Sequence, residues 1–240
     1  MNIENEELKR RIAEFPSLVE LRPVISGTGY LLPVDYSRGI FGDARILSLM
    51  ATEAHRIAES VEYHVIAGIE LAGVPLATAL ALHTAKPMIT IRGKMVRPGR
   101  PDIIGTEHLG GEDCRVLLVD DLVAFAKTKA ECIARLQEVN TRVAAILTFI
   151  DFQAKYQETE AYGVFDDEQV PVLSMITWQE ILDLQRQAGT MDDDTYRWSQ
   201  ELLDHLEEWR VDLVQPKLPA YIAALQKRNI PIPQFVTDLL

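Results

Sequence analysis

Apolar and polar residues follow two rhythms along this chain. Between residues 5 and 14, Leu8 and Ile12 lie one helical turn apart among charges, which predicts a short helix. Residues 23–35 mix Gly27, Gly29 and Pro33 with apolar positions and read as extended chain with a turn. Asp43 is placed to cap a helix running to about Ser60, in which Ile46, Leu49, Met50 and Ile57 fall at helical spacing. His64 to Ile69 reads as a strand, Gly68 to Gly73 as a small-residue turn, and Val74 to Thr84 as a helix rich in Ala and Leu. Pro87 introduces a strand from Met88 to Arg92. Arg142 to Ile150 is another, ending at Asp151. An acidic, aromatic connector leads to a strand from Val172 to Ile176, and Thr177 then caps a helix from Trp178 with Glu180 set for a capping box.

The other elements can be arranged around Arg115 to Glu131, RVLLVDDLVAFAKTKAE. Its apolar run, Val116 to Val119, stops at Asp120 and Asp121, and from Ala126 it reads as a helix to about Val139. Strands alternating with helices predict an α/β fold with a parallel core sheet and helices on both faces. Such sheets bind ligands where strands end and helices begin, so at least one of the two aspartates is expected to face that cleft. Gly93 to Gly111 breaks the rhythm with glycines, prolines, Lys94, Arg97 and Arg100, and reads as a long mobile loop. After Gly189 the pattern becomes helical, near 195–211 and 217–229. Trp198, Leu202, Leu206 and Trp209 form an apolar stripe there, and Pro216 and Pro219 mark the turn. The expected division is a domain over 1–190 and a C-terminal helical appendage over 191–240.

Composition narrows the function classes. The 240 residues are 48% hydrophobic and 25% charged, as in an ordinary globular protein. A net charge of −12 argues against a nucleic-acid or anionic-membrane partner. The cysteines, Cys114 and Cys132, form no Cys-x-x-Cys pair, which points to a reduced compartment without structural zinc. The charged start, MNIENEELKRR, has no apolar signal core, and no apolar run is long enough to span a bilayer. A cytoplasmic location is expected. His55, His64, His83, His108 and His205 show no metal-ligand spacing, so no side-chain metal site is expected.

VLLVDD suits two groups, response-regulator receivers and type I phosphoribosyltransferases. A receiver would begin here, leaving the α/β pattern of residues 40–95 unexplained. The upstream stretch VIAGIELAGVPLATALALHTAKPMITIR, Val65 to Arg92, resembles orotate phosphoribosyltransferases. Ser26-Gly27 with Val34-Asp35 resembles that family's N-terminal hood, at about 15–40. LSMITWQEIL, Leu173 to Leu182, resembles its last strand and helix. The resemblance covers roughly residues 20–190 and implies the type I phosphoribosyltransferase fold.

What the resemblance implies for the site follows residue by residue. Glu70, Leu71, Ala72 and Gly73 match the turn that faces pyrophosphate. Asp120 and Asp121 match the pair that meets the ribose hydroxyls of phosphoribosyl pyrophosphate (PRPP). Ala124, Phe125, Ala126, Lys127 and Thr128 match the loop whose backbone cradles the 5′-phosphate. Arg92, Lys94 and Arg97 are the candidate loop cations, and Phe152 lies at the base pocket. A small-molecule phosphate ligand or PRPP is implied, with Mg2+ if PRPP binds. So is a homodimer.

The same positions depart from the family. Ala124-Phe125-Ala126 lacks the loop's first hydroxyl and its glycine. Gly93, Val96 and Pro98 stand where the mobile loop carries lysines and a histidine. Phe152 follows Asp151 where an arginine pairs with the orotate carboxylate. Gly29 stands where the hood has a lysine. Lys127 and Lys129 read as solvated helix residues. Three functions stay open: a ligand- or partner-binding protein with orotate transfer lost or much weakened, a transferase for an altered base, and an assembly protein whose cleft is filled by Phe125 and Phe152.

Overall fold

The computed structural model describes residues 3–93, 101–110, 113–124, 127–152 and 170–240. Contacts group these residues into two compact units. One holds Met1–Arg10 and Ile40–Gln179, the other Arg11–Gly39 and Glu180–Leu240. The segment expected as an appendage, 191–240, therefore shares a unit with 11–39 and 180–190 and is not a unit by itself. Helix α1, Glu6–Glu14, runs through the boundary at residue 10.

The first unit is a six-stranded sheet flanked by helices. In chain order it contains α2 (Ala44–Ala58), β3 (Val65–Ile69), α3 (Gly73–Thr84), β4 (Met88–Ile91), β5 (Ile103–Ile104), β6 (Arg115–Val123), α4 (Lys127–Glu138), β7 (Arg142–Asp151) and β8 (Val172–Thr177). The strand order is β5-β4-β3-β6-β7-β8, parallel except for β5. Every residue of β3 is buried, as befits a central strand covered on both faces. Asp43 caps α2 as expected, its carboxylate accepting from Arg45 N at 2.8 Å and Ile46 N at 2.9 Å. On one face, Val116 and Leu118 of β6 pack with Cys132, Ile133 and Leu136 of α4.

Two expectations change. Strand β6 does not stop at the aspartates. It continues to Val123 because β7 offers pairing partners that far: Asp120 opposite Thr148, Leu122 opposite Ile150 and Val123 opposite Asp151. Nor is Gly93 to Gly111 loop throughout. Ile103–Ile104 pairs antiparallel with Thr90 and Ile91, and Thr106–His108 forms a 3-10 turn. Residues 94–100, with Lys94 and Arg97, lie outside the described residues, as do 153–169 of the connector.

The second unit contains an antiparallel hairpin of β1 (Val19–Ile25) and β2 (Leu31–Tyr36). The helices α5 (Trp178–Gln187, which begins in the first unit), α6 (Asp193–Asp204), α7 (Leu218–Lys227) and the short α8 (Gln234–Thr237) complete the chain. The helix expected over 195–211 is shorter. It is capped by Asp192 and ends at His205, where φ is −132°, and Leu206–Trp209 continues as 3-10 helix. Trp198, Leu202, Leu206 and Trp209 are buried, as their spacing predicts. Trp198, Trp209 and Tyr221 meet edge to face at 5.1–5.7 Å. The Tyr221 hydroxyl donates to Pro33 O at 2.8 Å, and burial raises its pKa. Gly29 sits at φ +88° while its carbonyl accepts from Val211 N, so the residue at the hood-lysine position is fixed by backbone shape.

Two substitutions test these packing arguments. A methyl at Gly73 would lie 2.4 Å from Val119 O and 2.8 Å from Asp120 Cα. Gly73→Ala is expected to cost about 1–3 kcal/mol by urea denaturation, since helix and strand must move apart. Tyr221→Phe leaves Pro33 O without its donor and should cost about 1–2 kcal/mol in the same assay. A neutral result for either would mean that the contact does not restrain the fold.

Candidate functional site

The sheet order reverses direction between β3 and β6, so the crevice outside their carboxyl ends is where an α/β sheet receives a ligand. The β3 end supplies the turn Glu70 to Gly73. Its Glu70–Leu71 peptide is cis. Glu70 N donates to Ile91 O at 2.8 Å, and the Glu70 carboxylate accepts from Gly93 N at 3.2 Å. Leu71 is 80% exposed at the tip. Gly73 opens α3 and lies against Val119 and Asp120 of β6, which requires the absence of a side chain.

The β6 end supplies the aspartates. Both are only 6% exposed, so the pair expected to face the strand-end cleft is buried at the end of β6. Alternation along the strand puts Asp120 on the α4 face with Val116 and Leu118, and Asp121 on the opposite face. Lys129, from the first turn of α4, forms an ion pair with Asp120 Oδ2. The same ammonium donates to Leu122 O, and Asp120 Oδ1 accepts from Asp121 N at 2.9 Å. Burial raises the Asp120 pKa, Lys129 lowers it and Asp121 raises it again, leaving it at about 6.

Reading Lys129 as a solvated residue is thereby corrected: it is 5% exposed. The signal was in the spacing. Lys129, Cys132, Ile133 and Leu136 form the buried face of α4 at helical intervals, and the lysine belongs to that stripe. Lys127 and Thr128 are exposed and Ala124 is half-buried, while Phe125 and Ala126 lie outside the described residues. Arg92 is anchored through its backbone. Its N–H donates to Asp102 O at 2.8 Å, and its carbonyl accepts from Arg135 at 2.6 Å. Among the described residues no carboxylate pairs with it, and its Nε is buried without a hydrogen-bond partner.

Phe152 follows β7 directly, its N–H donating to Val123 O at 2.9 Å. The ring is 6% exposed and packs on Trp178, with centroids 5.0 Å apart. The candidate residues described thus gather at the carboxyl ends of β3, β4, β6 and β7. A groove of about 550 Å³ lies elsewhere, at the start of β7, lined by Ile133, Gln137, Thr141, Arg142 and Val170 among others. It includes none of the candidates, and strand-end geometry is the better guide to the site.

No protein-family model matches the chain. Over 114 residues it is 33% identical to orotate phosphoribosyltransferase of Thermococcus kodakarensis, a match covering 48% of this chain and 60% of that one. The structure of Leishmania donovani UMP synthase superposes with a TM-score of 0.68 at 21% identity, covering 82% of this chain and 42% of the other. The chain is similar in sequence to orotate phosphoribosyltransferases and has the type I phosphoribosyltransferase fold. It spans about 60% of the length of curated relatives such as the Thermococcus enzyme. Orotate phosphoribosyltransferase of Mycobacterium tuberculosis H37Rv in complex with PRPP superposes with a TM-score of 0.53 at 20% identity, covering 74% and 93%. Among the described residues, no helix is long and apolar enough to cross a membrane.

The pH dependence of stability tests the Asp120 environment. Its carboxyl ionises near 6 when folded, against an ordinary 3.8. A raised acid pKa means that the stability it contributes is complete below about 3.8 and lost as pH rises through about 6. The stability of the wild type relative to Asp120→Asn should therefore fall across that window in urea titrations. A relative stability that rises with pH there would show that the lysine outweighs burial.

Proposed function

We propose that this protein binds a phosphate-bearing ligand of the PRPP class and has lost efficient transfer to orotate. The observation that carries the second half is Phe152. Orotate presents a carboxylate, and a carboxylate leaving water needs a cation or strong donors at its seat. Where the related enzymes have an arginine, this chain has a ring buried against Trp178. A phenyl group cannot replace two charge-assisted hydrogen bonds. The loop register, with Gly93 in place of a lysine, weakens electrostatic support for departing pyrophosphate in the same direction.

Ligand binding is supported by Arg92. It is held by its backbone beside the Glu70 to Gly73 turn and has no carboxylate partner among the described residues. A half-buried guanidinium in that position favours an anion. The runner-up, transfer to an altered base, draws on the same ring, because an aromatic wall accepts an uncharged heterocycle better than a carboxylate.

The test is direct. Orotate, PRPP and Mg2+ at high protein concentration are expected to give no spectroscopic conversion to orotidylate above the Asp120→Asn/Asp121→Asn control. Losing one such contact costs on the order of 2–4 kcal/mol of transition-state stabilisation. Calorimetry should show PRPP binding that Arg92→Ala weakens by about 2 kcal/mol. Magnesium-dependent turnover absent from the control would restore the orotate enzyme. An absence of PRPP binding would leave the fold without this ligand.

A further inference from the structure

The Asp120 carboxylate has partners on both oxygens from within its own chain. Oδ2 meets the Lys129 ammonium, and Oδ1 accepts from Asp121 N at 2.9 Å. The ammonium is also tied to Leu122 O, so β6 holds it at two points. Its other end is fixed as firmly. Lys129 begins the stripe Lys129, Cys132, Ile133, Leu136, and the packing of that stripe against Val116 and Leu118 sets where the ammonium lies.

PRPP chemistry in this fold implies a magnesium ion, and the residues present can be tested against it. Magnesium takes a near-octahedral shell of oxygens and keeps several waters. A carboxylate that is 6% exposed, with a partner on each oxygen, offers no wet approach for such an ion. A dication brought to the same carboxylate would also face the ammonium at close range, and repulsion between them grows as the surroundings exclude water. Asp120 does not fit a divalent ion while Lys129 is in place.

We propose that Lys129 is the resident cation of this site, standing where a divalent ion would otherwise meet Asp120 and excluding it. Positive charge that other proteins recruit from solution is here part of the chain. The carboxylate is neutralised before any ligand arrives, and a phosphate-bearing ligand is bound without metal at Asp120. This last point takes its ligand from the binding reading above; the exclusion of metal does not depend on it.

Manganese serves as a paramagnetic probe for the ion. In the 15N-labelled wild-type protein, Mn2+ is expected to leave the amide signals of Asp121 and Leu122 no broader than those of other buried residues. Selective loss of those two signals at substoichiometric Mn2+ would overturn the proposal. Lys129→Met, once shown to be folded by circular dichroism, should gain a one-to-one Mn2+ site that broadens the same amides and disappears in Asp120→Asn/Lys129→Met. A folded Lys129→Met chain that gains no site would equally count against it. If that variant does not fold, the wild-type titration decides alone. Inorganic pyrophosphate, titrated by calorimetry with and without Mg2+, separates the two claims. Failure to bind under either condition removes the phosphate-binding reading and leaves the manganese result standing.

Discussion

A carboxylate inside a sheet must be neutralised, hydrogen-bonded or both. At Asp120 the chain does this with Lys129, and much of the local architecture is fixed by that requirement. The lysine reaches the strand only if α4 begins within a few residues of the β6 end and lies with its Cys132–Leu136 face on the sheet. From the other side, α3 approaches so closely that position 73 must be glycine. The strand end is thus clamped by a charge on one face and by bare backbone on the other. A pair of this kind adds little net stability compared with a well-packed apolar pair, but removing one member is expensive. It specifies where α4 sits more than it strengthens the fold.

The clamp also explains why the site differs from an open acidic cleft. Type I phosphoribosyltransferase geometry puts the β3 and β6 ends side by side, and this chain keeps that placement. The turn at Glu70, the Glu70–Gly93 contact and the anchored backbone of Arg92 form a connected frame. Placement comes from strand pairing and helix packing, which involve many residues and resist single substitutions. Ligand chemistry depends on a few side chains, and those can change while the frame stands.

Legibility in the sequence followed the same line. Strands β3 and β7 were readable because their apolar runs are continuous, and α2 because Asp43 precedes a helical spacing. The extension of β6 past Asp120 was not, since it depends on pairing with β7 residues about thirty positions later. The grouping of 11–39 with 180–240 is equally non-local, resting on contacts such as Tyr221 to Pro33. Lys129 is the instructive case. Its place on the apolar stripe of α4 was visible at helical spacing, yet a lone lysine at such a position usually snorkels to solvent. Only the nearby buried carboxylate makes burial the better outcome, and that proximity requires the sheet.

Set together, Lys129 and Phe152 describe one redistribution of charge. In a transferase acting on an anionic base, cations face the ligand and carboxylates face hydroxyls or metal. Here Phe152 is a buried ring against Trp178, and the Lys129 ammonium is paired with the Asp120 carboxylate. Each change alone would leave an imbalance, either a carboxylate without its cation or an anionic ligand without its anchor. Arg92 stays half-buried at this strand end without a carboxylate partner among the described residues, and Arg135 donates to its carbonyl. One guanidinium is enough to hold a phosphate by paired hydrogen bonds.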